Sequence, residues 1–151
     1  DIHLSLVQSI PLTGAVVVST PQNIALADAK KGVNMFQMES INVPVLGIVE
    51  NMAYFTPEEL PNNKYYIFGK EGAKGLAEQL EIELLAQIPL VQSVREAADA
   101  GRPAVLQGAT PIALELLNMT KNILASINKR NANLAPTKAV ELTNSKGCST
   151  K

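Results

Sequence analysis

Tryptophan is absent from the 151 residues, aromatic side chains make up only 4%, and there is one cysteine and one histidine. A core without large rings must be assembled from Val, Ile, Leu and Ala. That composition suits a parallel sheet covered by helices, whose strands are buried on both faces. The lone Cys148 leaves no partner for an internal disulfide and no second thiol for a multi-cysteine metal site. A reducing compartment, the cytoplasm, fits best. His3 has no acid–nucleophile pattern around it and reads as a surface or structural residue. An excess of basic charge is also lacking: 13 Lys and Arg stand against 14 Asp and Glu, with a net charge of -1 and a pI near 5.9. No basic stripe exists to neutralise a phosphate backbone, so no nucleic-acid partner is expected. No apolar run reaches the roughly 20 residues needed to span a bilayer, and no signal peptide is visible, so no membrane partner is expected either. The chain opens Asp1-Ile2-His3 without an initiator Met, which reads as processing or as a fragment.

What is present is a globular pattern, with 46% hydrophobic and 18% charged residues. The length suits one domain. Ile2 to Ser9 is mixed and fits a short helix stopped before Pro11. Gly14 to Thr20 is a β-branched run bounded by turn residues and predicts a buried strand. Pro21 opens a helix with Thr20 as its N-cap and an apolar stripe of Leu26, Ala29, Val33 and Phe36. Met35, Phe36 and Met38 read as core or interface packing. Val43 to Met52 predicts a second strand, with Glu50 and Asn51 marking its polar end. A loop from Tyr54 to Lys64 comes next, then the short aromatic segment Tyr65 to Gly69. Gly72 to Leu80 predicts a helix, and Leu84 to Pro89 a third strand. Ser93 caps a short helix through Ala100. Thr110-Pro111 starts the last helix, striped by Ile112, Leu116, Met119, Ile123 and Ile127. Beyond about Asn131 the apolar period stops, which divides the chain into a domain at 1–130 and a disordered polar tail at 131–151.

Alternating strands and helices imply parallel strands joined by crossovers, an α/β, doubly wound, mainly parallel sheet. Sheets of this type bind ligands beyond the carboxyl ends of their strands. The residues to inspect are therefore Ser19 to Gln22, Glu50 to Asn51, and Pro89 to Val91.

The same strand ends carry a family resemblance. Val18-Ser19-Thr20-Pro21-Gln22 with Ala27-Asp28-Ala29-Lys30-Lys31-Gly32 resembles the Mrp/ApbC ATPases of the MinD/ParA-like superfamily. So do Gly47-Ile48-Val49-Glu50-Asn51-Met52, Ile67-Phe68-Gly69 and Gln87-Ile88-Pro89-Leu90, in the same order and spacing over about residues 1 to 127. The opening Asp1-Ile2-His3-Leu4 resembles the residues immediately after that family's Pro-Pro-Gly-Thr-Gly-Asp switch segment. On this resemblance the chain is the C-terminal half of a P-loop NTPase fold, cut within a motif. The resemblance implies a protein that binds and hydrolyses ATP with Mg, forms a homodimer around nucleotide, and carries or assembles a 4Fe-4S cluster for iron–sulfur apo-protein clients. It implies that Asn51 hydrogen-bonds the adenine, that Pro89 and Leu90 pack on the same base, and, less directly, that Gln22 and Asp28 lie near the active site. A carboxamide suits a base edge because it offers a donor and an acceptor. The plain structural readings are that Asn51 satisfies a turn, that Asp28 is a solvated helix residue and that Gln22 belongs to a helix's first turn. Glu50 is assigned no role.

Two motifs are missing. A phosphate loop needs spaced glycines, a Lys and a Ser or Thr for magnesium; Gly69-Lys70-Glu71-Gly72 lacks the upstream glycine and the hydroxyl and reads as a helix entry. The chain alone is thus expected to be inactive as an ATPase, and no catalytic residue or metal ligand is assigned. Many members of the family also carry a Cys-x-x-Cys pair between the Glu-Asn-Met strand and the Ile-Phe-Gly segment. Here that loop, 53–64, holds no cysteine. Its Glu58 and Glu59 are hard oxygen donors, poor substitutes for thiolates. Cys148 reads as a solvated thiol, with cluster ligation from the tail as the alternative. Two other functions stay open: a positioning ATPase of the MinD/ParA type, disfavoured because the tail holds no amphipathic helix, and a non-catalytic α/β interaction module presenting the 54–66 loop, flanked by Tyr54, Phe55, Tyr65 and Tyr66.

Overall fold

The computed structural model describes residues 2–57, 59–60 and 62–140. Five helices and three strands alternate along them: α1 (Ile2–Ser9), β1 (Ala15–Ser19), α2 (Asn23–Gln37), β2 (Val45–Phe55), α3 (Gly72–Gln79), β3 (Leu84–Leu90), α4 (Gln92–Asp99) and α5 (Pro111–Asn133), with one 3₁₀ turn at Ala104–Leu106. The strands form a parallel sheet in the order β1-β2-β3. This is the α/β parallel architecture expected from the sequence.

Strand alternation distributes the apolar residues to two faces. Ile48 packs with Ala73, Leu76 and Ala77 of α3, and Leu26 and Ala29 of α2 join them. Val49, Leu85 and Ile88 meet Ile112 of α5, backed by Leu116, Met119 and Ile123. The predicted stripes of α2 and α5 are therefore the surfaces that cover the sheet on opposite sides. A register shift sets Ile48 opposite Leu84 but Val49 opposite Ala86. The extra residue, Leu85, turns towards α5, and Asn122 of α5 donates a hydrogen bond to its carbonyl at 2.8 Å.

Several local details differ from the sequence pattern. The N-cap of α2 is Gln22, not Thr20; the Thr20 hydroxyl donates to Gln22 Oε1 at 3.2 Å instead. α4 begins at Gln92, with Val91 rather than Ser93 before it. Thr110 does cap α5, its hydroxyl accepting from the Ala113 N–H at 3.3 Å. β2 runs on to Phe55, because Phe55 and Tyr65 exchange a pair of backbone hydrogen bonds of 2.8 Å each. The aromatic segment after the loop thus returns to the end of β2.

The boundary at 130 also shifts. α5 continues to Asn133, and residues 134–140 fold back rather than trailing as a free tail. The Val140 N–H donates to the Val7 carbonyl at 2.9 Å, and Val140 packs against the cluster of Val7, Ile41 and Val43. These contacts join distant parts of the chain, which is why no local period announces them. The rest of the expected tail, 141–151 with Cys148, lies outside the described residues.

β1 pairs only with β2 among the described residues, so its other edge is open. Val18 on that strand is 60% exposed and Ile24 just beyond it 77% exposed. An unpaired apolar edge of a parallel sheet is a template for further pairing. Residues 1–151 expressed by themselves should therefore self-associate or melt broadly. Sedimentation velocity over a concentration series checks this; a monomer with a sharp, concentration-independent melt would contradict it.

Candidate functional site

The carboxyl ends of the strands carry a polar row. Ser19, Glu50 and Gln87 occupy matching register positions on β1, β2 and β3. Glu50 is completely buried, although it sits in an otherwise apolar strand. Its Oε2 accepts from Gln87 Nε2 at 2.6 Å and its Oε1 accepts from the Ala73 backbone N–H at 2.8 Å. The second bond has a structural reason. α3 has no side-chain cap of its own, and the residue before it, Glu71, is in the left-handed region with φ 54°. The first N–H groups of a helix lack internal acceptors, and a carboxylate at that end also meets the favourable end of the helix dipole. Glu50 supplies from the sheet what the local sequence omits.

Gly72 allows the same approach. A Cβ there would collide with the Pro21 carbonyl oxygen and lie 2.8 Å from Leu26 Cδ1. The absence of a side chain lets the start of α3 close against the turn leading into α2. The segment Gly69 to Gly72 is thus a helix entry, as its spacing implies.

Regular pairing stops at Asn51, opposite Ile88, and resumes only at Phe55, opposite Leu90. Between them Met52 adopts φ 55°. Its N–H donates to Asn51 Oδ1 at 3.0 Å. Alternation places Asn51 on the α5 side of the sheet, the side opposite Glu50.

That side opens into a cleft of about 470 Å³ walled by Tyr54, Lys64, Pro89, Pro111 and Ile112, with Thr110 and Glu115 among its polar groups. Thr56, Pro57, Val91 and Ser93 continue it into a second depression of about 330 Å³. Lys64 Nζ stands 3.9 Å above the Tyr54 ring, a cation–π contact that fixes one wall. Apolar walls with a few convergent polar groups are the usual anatomy of a small-molecule site.

The sequence-predicted residues divide between two places. Asn51, Pro89 and Leu90 lie near the carboxyl ends of β2 and β3; Pro89 lines the cleft, whereas Asn51 pairs with Ile88 and Leu90 with Phe55, and neither is among the residues that wall it. Gln22 is exposed at the start of α2, past the end of β1. Asp28 is exposed on α2 and ion-paired with Lys31 at 3.1 Å, away from the cleft residues. Glu50 is marked in the sequence as part of a strand end but is assigned no role there. Its one signal is a lone acid inside a continuous apolar run. Among the described residues no group of three or more His, Cys, Asp or Glu is placed to hold a metal ion. Glu58 lies outside the described residues. No described helix is long and apolar enough to cross a membrane.

Comparisons with known proteins identify the family and the fold. The family model ParA, described as NUBPL iron-transfer P-loop NTPase, matches residues 1–126. The iron-sulfur cluster transfer protein NUBPL of Dictyostelium discoideum is 44% identical over 128 residues, covering 84% of this chain and 39% of that protein. The iron-sulfur cluster carrier protein of Haemophilus influenzae is 52% identical over 107 residues, covering 71% of this chain and 28% of that protein. Among solved structures, the nucleotide-binding protein in complex with ADP from Archaeoglobus fulgidus superposes with a TM-score of 0.55 at 36% identity, over 68% of this chain and 40% of that one. The cell division ATPase MinD of Pyrococcus furiosus gives 0.55 at 23% identity over 75% of this chain and 43% of that one, a likeness of fold. The chain therefore spans well under half the length of these relatives.

Replacing Glu50 by Ala removes the acceptor for both the Ala73 N–H and the Gln87 amide and leaves a hole. The expected loss is roughly 2–5 kcal/mol of stability. Chemical denaturation of the full-length protein measures it; a loss below about 0.5 kcal/mol, the range of ordinary surface substitutions, would show that Glu50 anchors nothing.

Proposed function

The chain belongs to the NUBPL iron-transfer P-loop NTPase family, and we propose that it forms the base-binding, dimer-facing half of an ATP-dependent iron–sulfur cluster carrier. The observation that carries this reading is the cleft beyond the ends of β2 and β3, with Pro89 in its wall and Asn51 at the point of β2 where regular pairing with β3 stops. Open α/β sheets take ligands at this location.

The residues present fit an adenine. Pro89, Ile112 and the Tyr54 ring offer apolar surface to a flat base. The Asn51 Nδ2 donates to no protein group among the described residues, while Oδ1 holds the Met52 N–H. A carbonyl oxygen has two lone pairs, so Oδ1 keeps that bond and still accepts from an exocyclic amine. Nδ2 then donates to a ring nitrogen. The Met52 bond holds the amide against flipping, and guanine, with its donor and acceptor interchanged on the Watson–Crick edge, meets the wrong polarity. Adenine is favoured for that reason.

Hydrolysis rests on phosphate positioning and charge neutralisation. In this reading the phosphate loop and its Mg come from sequence outside this chain, and residues 1–151 alone bind a base without cleaving ATP. Asp28 and Gln22 face solvent here and would be drawn to the nucleotide only through the remainder of the fold. The cluster is cargo. Loop 53–64 supplies no thiolate, so its sulfur ligands come from elsewhere in the assembly. Clients are iron–sulfur apo-proteins, the working unit is a homodimer, and the single cysteine supports placement in the cytoplasm.

Titration of the full-length protein with Mg-ATP and Mg-GTP tests this. Asn51→Ala should weaken ATP binding by roughly one to two decades, about 1–3 kcal/mol, and reduce the preference over GTP. Equal ATP affinity in both proteins would remove the adenine site. No binding by the unmodified protein would favour the interaction module instead.

A further inference from the structure

Arg130, in the last turn of α5, is 9% exposed. Its Nη1 donates to Asn131 Oδ1 at 3.1 Å and its Nη2 to the Ala135 carbonyl at 2.7 Å. Its Nε is enclosed and has no acceptor among the described residues. Among the described residues no carboxylate lies within ion-pair distance of the guanidinium. A guanidinium stays charged wherever it is placed in a protein, and a buried charge without a counter-ion is strongly disfavoured. Two neutral acceptors are thin compensation for five donors.

Arg130 lines a cavity of about 420 Å³ at the amino end of the sheet, opposite the cleft. Ile41, Val43, Leu134 and Val140 give it apolar walls, and Lys138 is a second cation there. No Asp or Glu lines it among the described residues. A small, partly open space bearing two cations and, among the described residues, no acid is complementary to an anion. The apolar remainder favours an anion with a hydrocarbon body over a fully hydrated one.

We propose that this cavity is a binding site for a carboxylate carrying a short apolar body, its oxygens taking the free Nη hydrogens of Arg130 and the ammonium of Lys138. The site is independent of the nucleotide reading. It is built by the turn at 40–44, the end of α5 and the returning segment 134–140, so a bound carboxylate also holds that segment in place.

The test is calorimetric titration of the full-length protein with hexanoate, acetate and inorganic phosphate, alongside thermal melts. Hexanoate should bind and raise the melting temperature, with acetate and phosphate at least about tenfold weaker. Lys138→Gln changes an exposed residue, so its ligand-free melt should match the unmodified protein while hexanoate affinity falls about three- to tenfold. Arg130→Gln should abolish binding; if it does not fold, the Lys138→Gln comparison decides. Absence of hexanoate binding, or equal affinity in Lys138→Gln, would overturn the site. Phosphate binding as tightly as hexanoate would overturn the apolar component.

Discussion

The buried carboxylate of Glu50 is the constraint around which the strand ends are organised. One oxygen holds Gln87 of the neighbouring strand and the other holds the first turn of α3. This ties β2 to β3 and to α3 at the carboxyl ends of the strands, while Ser19, in the same register row, donates to the Thr20 carbonyl instead. An acid in a strand core is tolerable only when both oxygens are satisfied. The satisfied arrangement is also a specific one, because moving α3 or sliding β3 by one residue would leave an unpaired buried charge. A purely apolar contact would tolerate such a slip far better.

Glu50 and Asn51 are adjacent and do opposite work. Alternation sends the acid into the α3 face, where it is hidden, and the amide to the α5 face, where the cleft opens. The break in pairing after Asn51, with Met52 in the left-handed region, frees the backbone there from the ladder and turns it to orient the amide. The polar pair that marks a strand end in the sequence is thus one residue buried against α3 and one on the opposite face of the sheet, separated by the two-residue period of the strand.

Much of this is legible in the sequence. The β-branched runs at 14–20 and 43–52 predict strands, the stripe on α5 predicts its buried face, and Thr110-Pro111 predicts its start. Pro89 and Asn51 are reached from strand ends combined with a family resemblance. The features that escape are non-local. Thr20 and Ser93 have good capping chemistry, yet Gln22 and Val91 occupy those positions, because the entry to each helix is set by the strand preceding it. Nothing near Val140 foretells its bond to Val7. The role of Glu50 depends on Ala73 and Gln87, which lie 23 and 37 residues away.

The neck formed by Phe55 and Tyr65 has an evolutionary consequence. Two backbone hydrogen bonds close the loop between them, and because they are main-chain bonds they are indifferent to what the enclosed side chains are. The entropy of closing such a loop grows only slowly with its length. Apart from Thr56, Pro57 and Lys64, which wall the cleft, the loop is therefore under little constraint from the neck. Side chains there can change in kind while the main-chain neck and the sheet beneath it form unchanged, so the loop is free to vary independently of the frame that carries it.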